Sequence, residues 1–173
     1  MAGKIYFITG GARSGKSAFA ERLAHGLSGT RAYIATAQAL DSEMVERIEK
    51  HRNDRGATWD TYEEPLAIAE LFQKLNSRYE VALLDCLTLW LSNSIAHTVD
   101  SDVINARSEE LIAAIRGFNG TLLIVSNEVG LGIVPDNPLA RQFRDHAGFL
   151  HQKVARVADE VYFVVSGIPM KIK

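Results

Sequence analysis

The sequence predicts an α/β fold in which a mostly parallel sheet is covered by helices on both faces. Apolar, strand-like runs alternate with helical patterns along the chain, which is typical of this class. Two of the runs, residues 81–84 and 122–125, are apolar without the alternation of a half-exposed strand. Strands buried on both faces have this pattern, so we expect these two near the centre of the sheet. The length of 173 residues suits one domain, and we predict that residues 1–173 form a single domain.

The individual elements are predicted in chain order. The first strand is predicted from Ile-Tyr-Phe-Ile at residues 5–8, and the first helix from the run at 18–24. The second helix is predicted from a capping residue at 41 or 42 and from Met44 and Ile48 on one face. The remaining elements follow from the same alternation. The predicted strands are 4–9, 31–36, 58–63, 80–85, 120–126 and 160–166, and the predicted helices are 15–27, 42–53, 65–76, 88–97, 101–117 and 138–158.

Composition limits the classes of function. There are 19 Lys and Arg against 21 Asp and Glu, a net charge of −2, so no overall field favours nucleic acid or an anionic membrane, and we expect neither as a partner. One cysteine, Cys86, excludes an internal disulfide and a cysteine-rich zinc site. No apolar stretch approaches the length of about 18 residues that a membrane helix needs, and we expect no membrane insertion. These features predict a cytoplasmic protein.

The most specific motif is a phosphate-binding loop. Residues 10–17 read Gly-Gly-Ala-Arg-Ser-Gly-Lys-Ser, a full G-x-x-x-x-G-K-[ST] pattern between a predicted strand and a predicted helix. Backbone N–H groups of such a turn surround the phosphates, Lys16 reaches the terminal ones, and Ser17 holds Mg²⁺. The alternative is a glycine-rich turn before an ordinary helix. The flanking pattern favours a nucleoside triphosphate site, with Lys16 catalytic, at Gly10, Gly11, Ala12, Arg13, Ser14, Gly15, Lys16 and Ser17.

Asp85 is the second candidate site residue. It follows four apolar residues at the end of a predicted strand, and in phosphate-loop sites an acid there lies beside the loop and holds Mg²⁺ or its water. The alternative is a strand-terminal Asp in a turn or a helix cap. Together with the loop, this position predicts Ser17 and Asp85 as ligands of Mg²⁺. A further acid, Glu63, does not by itself indicate a role.

His51 is the third candidate site residue, and it lies near the end of the predicted helix 42–53. Four cations lie close to it in sequence, Arg47, Lys50, Arg52 and Arg55. Such a cluster can gather a triphosphate and favours the neutral, nucleophilic imidazole, which can attack phosphorus. The alternative is a solvated helix end whose bases complement the helix dipole. The other histidines have no comparable surroundings and are interpreted as surface or packing residues: His25, His97, His146 and His151.

A turn-rich loop at residues 127–138 follows the carboxyl end of a predicted strand. Open α/β sheets bind ligands on that side. Two interpretations stay open for this loop: it is a wall of the substrate site, or it is a structural connection.

Several segments together match one known family. They are Ile-Thr-Gly-Gly-Ala-Arg-Ser-Gly-Lys-Ser at 8–17, Tyr-Ile-Ala-Thr-Ala at 33–37, Arg-Ile-x-x-His-Arg-x-x-Arg at 47–55 with Trp59 after it, Asn-Glu-Val-Gly-Leu-Gly-Ile-Val-Pro at 127–135, Arg-Gln-Phe-Arg-Asp at 141–145 and Val-Val-Ser-Gly at 164–167. With these segments the sequence resembles the bifunctional adenosylcobinamide kinase/adenosylcobinamide-phosphate guanylyltransferase family of cobalamin biosynthesis. The resemblance runs from end to end.

The resemblance implies a P-loop NTPase fold with a RecA-like sheet and a two-step enzyme. The enzyme would phosphorylate the aminopropanol hydroxyl of adenosylcobinamide, a corrinoid, with ATP or GTP. It would then transfer GMP from GTP to that phosphate through a phosphoramidate on histidine, which carries over to His51. Lys50 stands where some members have a second histidine. Nucleotide contacts carry over to residues 10–17 and to Ala35, Thr36, Ala37, Arg52, Asn53, Asp54, Arg55, Glu63 and Asp85, and the resemblance favours a homo-oligomer, a homotrimer.

Two other functional classes stay open from the residues alone. One is a small-molecule kinase whose basic helix 42–53 is a substrate clamp and whose His51 never bonds to phosphorus. The other is a nucleotide-switched binding module. Retention of an α-phosphate label from GTP distinguishes nucleotidyl transfer from both.

Overall fold

The computed structural model describes residues 3–38 and 58–173. Its strands and helices alternate as the sequence pattern predicts. In chain order they are β1 (Ile5–Gly10), α1 (Lys16–His25), β2 (Arg31–Ala35), β3 (Asp60–Glu63), α2 (Ile68–Leu75), β4 (Val81–Asp85), α3 (Leu87–His97), α4 (Ser101–Gly117), β5 (Thr121–Asn127), α5 (Pro138–Val157), β6 (Glu160–Val165) and β7 (Ile168–Lys171). The predicted helix 42–53 lies outside the described residues.

The described strands form one sheet in the order β3-β2-β4-β5-β1-β6-β7. Strands β1 to β6 pair in parallel, and β7 pairs antiparallel with β6. The two apolar runs form β4 and β5, which occupy the third and fourth places of the sheet. Residues 81–84 and 122–125 are all buried, so the prediction that these runs lie at the centre is confirmed.

Helices cover both faces of this sheet. On one face Leu84 and Ile124 pack against side chains of α2, α3, α4 and α5, among them Phe72 and Trp90. On the other face Leu83 packs with Phe19 of α1 and with neighbouring side chains. Because successive strand residues point to opposite faces, Asp85 projects to the same face as Leu83 and α1. No helix within residues 3–38 and 58–173 is long and apolar enough to cross a membrane.

β7 is an element that the sequence pattern does not predict. It has four residues and contains Pro169, which lacks the N–H that a central strand uses for pairing. The strand forms because it pairs only with β6, at the edge of the sheet, where Pro169 lies opposite Val164. Most other predicted boundaries differ from the observed ones by one to three residues, a scatter that is normal at helix and strand ends.

Candidate functional site

The glycine-rich loop connects β1 to α1 at the carboxyl edge of the parallel sheet. Gly10 has φ 151° and Gly15 has φ 93°, and Arg13 between them also has a positive φ of 55°. A Cβ on Gly10 would lie 2.3 Å from the carbonyl oxygen of Val164 in β6. The close approach of β6 therefore requires glycine at the first position of the loop.

The N-terminus of α1 differs from those of α4 and α5. The side chain of Asp100 accepts a hydrogen bond from an amide in the first turn of α4, and Asn137 does the same for α5. At α1 the capping residue is Gly15, and no side chain caps the helix. Backbone amides in the first turn of α1 are therefore available to an anion, which the helix dipole also attracts.

Lys16, the first residue of α1, is folded over the loop. Its side chain is buried, with 6% exposure, and its Nζ donates a hydrogen bond of 2.6 Å to the carbonyl oxygen of Gly11. Ser14 Oγ is also buried and finds no hydrogen-bond partner within residues 3–38 and 58–173. A phosphate that enters the loop can accept from both groups, since phosphate oxygens are strong acceptors for an ammonium and a hydroxyl.

Asp85 ends β4, in register with Ala35 of β2. Its Oδ2 accepts a hydrogen bond of 2.9 Å from the hydroxyl of Tyr33, which holds the carboxylate at the edge of the sheet. Burial raises the pKa of the neighbouring Cys86 thiol to about 11, and the charge of Asp85 adds to this while Lys16 opposes it. The one cysteine is thus a protonated packing residue near neutral pH.

Thr36 has a structural role that its sequence pattern does not show. It is fully buried, and its Oγ1 accepts from the backbone N–H of Cys86 and donates to the carbonyl oxygen of the same residue, at 2.8 Å each. The Thr36 amide also donates to the carbonyl oxygen of Asp85 at 3.1 Å. The threonine hydroxyl therefore fixes the end of β4, while Ala35 and Ala37 on either side of it are half-buried.

The remaining predicted site residues are only partly brought together. Glu63 ends β3 in register with Ala35, so Glu63, Ala35 and Asp85 form one row along the carboxyl edge. β3 is four strands away from β1, or roughly 19 Å at the usual strand spacing. His51 and the predicted contacts Arg52, Asn53, Asp54 and Arg55 lie outside the described residues.

Two segments lie beside the loop, the turn between β6 and β7, which the sequence did not place there, and the start of the stretch 127–138, for which a wall of the substrate site was one of two open interpretations. The turn between β6 and β7 touches the loop, because the Gly167 amide donates to the carbonyl oxygen of Ser14 at 2.8 Å. After β5, the Glu128 amide donates to the carbonyl oxygen of Gly10 at 2.9 Å. A cleft of about 640 Å³ lies between these segments and the loop. The turn-rich pattern at 127–138 was the one sequence signal for a site at this segment. The segment lies close to β1 because β5 pairs with β1, and the sequence pattern does not show that pairing.

Two of the described histidines, His146 and His151, make contacts with neighbouring side chains, whereas His97 is exposed. His151 of α5 is hydrogen-bonded through Nε2 to Ser126 Oγ at 2.7 Å and packs against the ring of Phe7. Burial lowers the pKa of His151, and the charge of Glu128 acts in the opposite direction. His146 lies within 3.2 Å of Ser101 Oγ.

A sequence comparison decides the family. The family described as cobinamide kinase / cobinamide phosphate guanyltransferase matches residues 6–172. The chain belongs to this family. It is 46% identical over 166 residues to the bifunctional adenosylcobalamin biosynthesis protein CobP of Pseudomonas aeruginosa, covering 96% of this chain and 95% of that protein. It is 45% identical over 181 residues to the bifunctional adenosylcobalamin biosynthesis protein CobU of Escherichia coli, covering 98% and 99%.

Solved structures with a similar fold are more distant in sequence. A KaiC-like protein of Pyrococcus horikoshii superimposes with a TM-score of 0.50 at 10% identity, covering 94% of this chain and 71% of that one. An ATPase of a bacterial type III secretion system superimposes with a TM-score of 0.58 at 10% identity. The alignment covers 98% of this chain and 57% of the ATPase chain. At this identity the likeness concerns the fold alone, and it confirms the predicted α/β fold with a mostly parallel sheet.

Replacing Lys16 by Ala should reduce both activities of the family by about 100-fold or more, because the ammonium neutralises phosphate charge that both reactions develop. Initial rates of cobinamide phosphorylation and of GMP transfer measure the effect. Lys74→Ala, which removes an exposed lysine from α2, is the matched control and should leave both rates unchanged. Normal kinase turnover in Lys16→Ala would place the nucleotide elsewhere.

Proposed function

We propose that this protein phosphorylates adenosylcobinamide with ATP or GTP and then transfers GMP from GTP to the product, giving adenosylcobinamide-GDP. The observation that supports this most is the phosphate loop, with the buried Lys16 folded over it, in a chain that matches its family from residue 6 to residue 172. Both steps use one nucleotide site within a single domain. Since the reactions consume nucleoside triphosphates, we assign the protein to the cytoplasm.

The nucleotide-binding residues of the proposal are those predicted from the sequence. Residues 10–17 hold the triphosphate, and Ala35, Ala37, Glu63 and Asp85 extend the site along the carboxyl edge towards β3. The backbone at Thr36 belongs to the same edge, although its hydroxyl is engaged by Cys86. Arg52, Asn53, Asp54 and Arg55 complete the proposed contacts on the basis of the family resemblance.

A Mg²⁺ ion fits the oxygen groups at the loop. Ser17 lies in the first turn of α1, and Asp85 projects to the α1 face of the sheet with its carboxylate held by Tyr33. Within residues 3–38 and 58–173 no three His, Cys, Asp or Glu side chains are grouped for a metal, and Mg²⁺ at phosphates commonly uses one or two protein ligands. Ser17 and Asp85 would hold the ion, which would supply positive charge to neutralise the phosphates.

In the phosphorylation step the chain mainly positions the reactants. The loop amides and the N-terminus of α1 orient the phosphates, and Lys16 donates to the terminal ones, so that charge on the leaving diphosphate is met by groups already in place. The acceptor hydroxyl attacks the γ-phosphorus, and the bond from that phosphorus to the bridging oxygen breaks.

In the guanylyl step we assign the nucleophile to His51. Its imidazole attacks the α-phosphorus of GTP, a nitrogen–phosphorus bond forms, and pyrophosphate leaves with the bridging oxygen. The phosphate of adenosylcobinamide phosphate then displaces the histidine. The covalent stage divides a transfer between two anions into two easier ones. The proposal rests on the resemblance and on the four cations near His51 in the sequence.

We also propose that the protein is a homotrimer, as the resemblance favours. The edge strand β7 supports self-association, because Ile168, Met170 and the following Ile172 expose 67%, 46% and 63% of their surface. An edge strand with apolar side chains is a surface that proteins commonly cover.

Replacing Asp85 by Asn should weaken Mg²⁺-dependent activity while the fold is kept, because the amide has the same shape and lacks the charge. The Mg²⁺ concentration for half-maximal kinase rate should rise by about tenfold or more. A titration that coincides with that of the unsubstituted protein would make Asp85 a turn residue instead.

Replacing His51 by Ala should abolish covalent GMP labelling and GMP transfer while sparing at least part of the kinase rate, because only the guanylyl step uses the imidazole. The measurement is retention of label from α-³²P-GTP, compared with γ-³²P-GTP, which should leave none. The adduct should be labile to acid and stable to alkali. His97→Ala, at an exposed position, is the control and should label normally.

The mapping of the label separates the alternatives. Label that persists in His51→Ala and maps to Lys50 would identify Lys50 as the nucleophile, since an amine forms the same class of bond with phosphorus. A wild-type protein that phosphorylates cobinamide but never retains α label would be a kinase without nucleotidyl transfer. A protein that only hydrolyses the nucleotide would be a switch.

A further inference from the structure

The acidic side chain of Glu128 lines the cleft beside the phosphate loop. Its walls are residues 11–14 of the loop, residues 163–166 at the end of β6, and the segment after β5 that includes Glu128, Val129, Leu131 and Gly132. Among the described residues that line it, Glu128 is the one carboxylate and Arg13 is the one cation. The cleft therefore offers a small volume in which a neutral group can meet both the loop and a base.

Glu128 is fixed by the main chain around it. Its amide donates to the carbonyl oxygen of Gly10, the first residue of the loop, at 2.9 Å. Its own Oε1 accepts a hydrogen bond of 2.5 Å from the Gly130 amide, and a Cβ on Gly130 would lie 3.0 Å from that oxygen. The half-buried carboxylate is thus held in one orientation directly beside the loop.

The other acids of the carboxyl edge are less suited to accept a proton from a substrate. Asp85 lies on β4, two strands from β1, bonded to Tyr33 and assigned to the metal. Glu63 lies on β3, four strands from β1, or roughly 19 Å away. Glu128 directly follows β5, the strand paired with β1, so it is a single strand spacing, roughly 5 Å, from the start of the loop.

We propose that Glu128 is the general base of the phosphorylation step and that the acceptor alcohol enters the cleft between the loop and residues 128–132. This inference rests on the proposed kinase function and adds a catalytic residue to it. The carboxylate of Glu128 takes the hydroxyl proton as the alcohol oxygen forms its bond to the γ-phosphorus. The bond from that phosphorus to the bridging oxygen breaks, the nucleoside diphosphate leaves with the electron pair, and the proton later passes from Glu128 to water.

The guanylyl step needs no such base. Its acceptor is a phosphate that is already an anion near neutral pH, and its nucleophile is a neutral imidazole. Loss of the carboxylate at Glu128 should therefore affect the first reaction and leave the second unchanged. This difference separates a base from a residue that only shapes the shared loop.

The substitution that tests the proposal is Glu128→Gln. Glutamine keeps the side-chain length and an oxygen that can accept from the Gly130 amide, and it loses the ability to take a proton. Asp136→Asn is the matched control, because it removes one exposed carboxylate from the same loop at a position that does not line the cleft. Kinase kcat and KM, covalent GMP labelling and the thermal unfolding midpoint are measured for each variant.

In Glu128→Gln the kinase kcat should fall by about 100-fold or more, with nucleotide KM and GMP labelling changed by less than about threefold. Asp136→Asn should resemble the unsubstituted protein.

Three results would overturn the proposal. One is a kinase kcat in Glu128→Gln within about threefold of the unsubstituted value. Another is an equal fall of kinase rate and GMP labelling, which would make Glu128 a support of the loop. The third applies if Glu128→Gln fails to fold: Glu128→Ala, which retains no base, would then show a kinase kcat within about threefold of the unsubstituted value. If the unsubstituted protein does not phosphorylate cobinamide at all, the proposed function fails first, and that outcome is visible before any variant is made.

Discussion

The pairing of β1 with β5 on one side and β6 on the other is the constraint on which the site depends. Gly10 lies opposite Asn127 of β5 and Val164 of β6, and the carbonyl oxygen of Val164 occupies the space that a side chain on Gly10 would need. Because these strands are parallel, the segments that follow them leave the sheet at one edge. The phosphate loop, Glu128 and the turn at Gly167 therefore meet at the end of β1, and the main-chain bonds from Glu128 to Gly10 and from Gly167 to Ser14 hold them there.

The two faces of the sheet give the edge its chemical asymmetry. Asp85 projects to the α1 face, and Ser17 lies in the first turn of α1, so the two oxygen groups proposed to hold a cation belong to that side. Glu128 lies close enough to His151 of α5, on the opposite face, for its charge to act on the pKa of that ring. Two carboxylates therefore lie on different sides of the loop: Asp85, the proposed metal ligand, and Glu128, the proposed general base. The separation follows from the alternation of side chains along parallel strands.

Local sequence was sufficient for the parts of the site that are contiguous in the chain. The loop at 10–17 and the apolar run before Asp85 each carry their own pattern, and the structure places both at the carboxyl edge. Glu128 carries no such pattern, because its distance to Gly10 depends on the pairing of β5 with β1, which joins residues more than 100 positions apart. β7 was missed because Pro169 argues against a strand and only an edge position tolerates it. The engagement of Thr36 with Cys86 is likewise a contact between distant segments.

In the proposed function, one triphosphate site at the phosphate loop serves both reactions. Inorganic tripolyphosphate tests it directly, because this anion can occupy the loop without presenting a nucleoside to the rest of the edge. Its inhibition constant is measured at fixed free Mg²⁺ against cobinamide phosphorylation and against covalent GMP labelling. A shared site predicts two constants that agree within about twofold and competition with the nucleotide in both reactions. Inhibition of one reaction with the other unaffected would show two separate nucleotide sites and contradict a shared one.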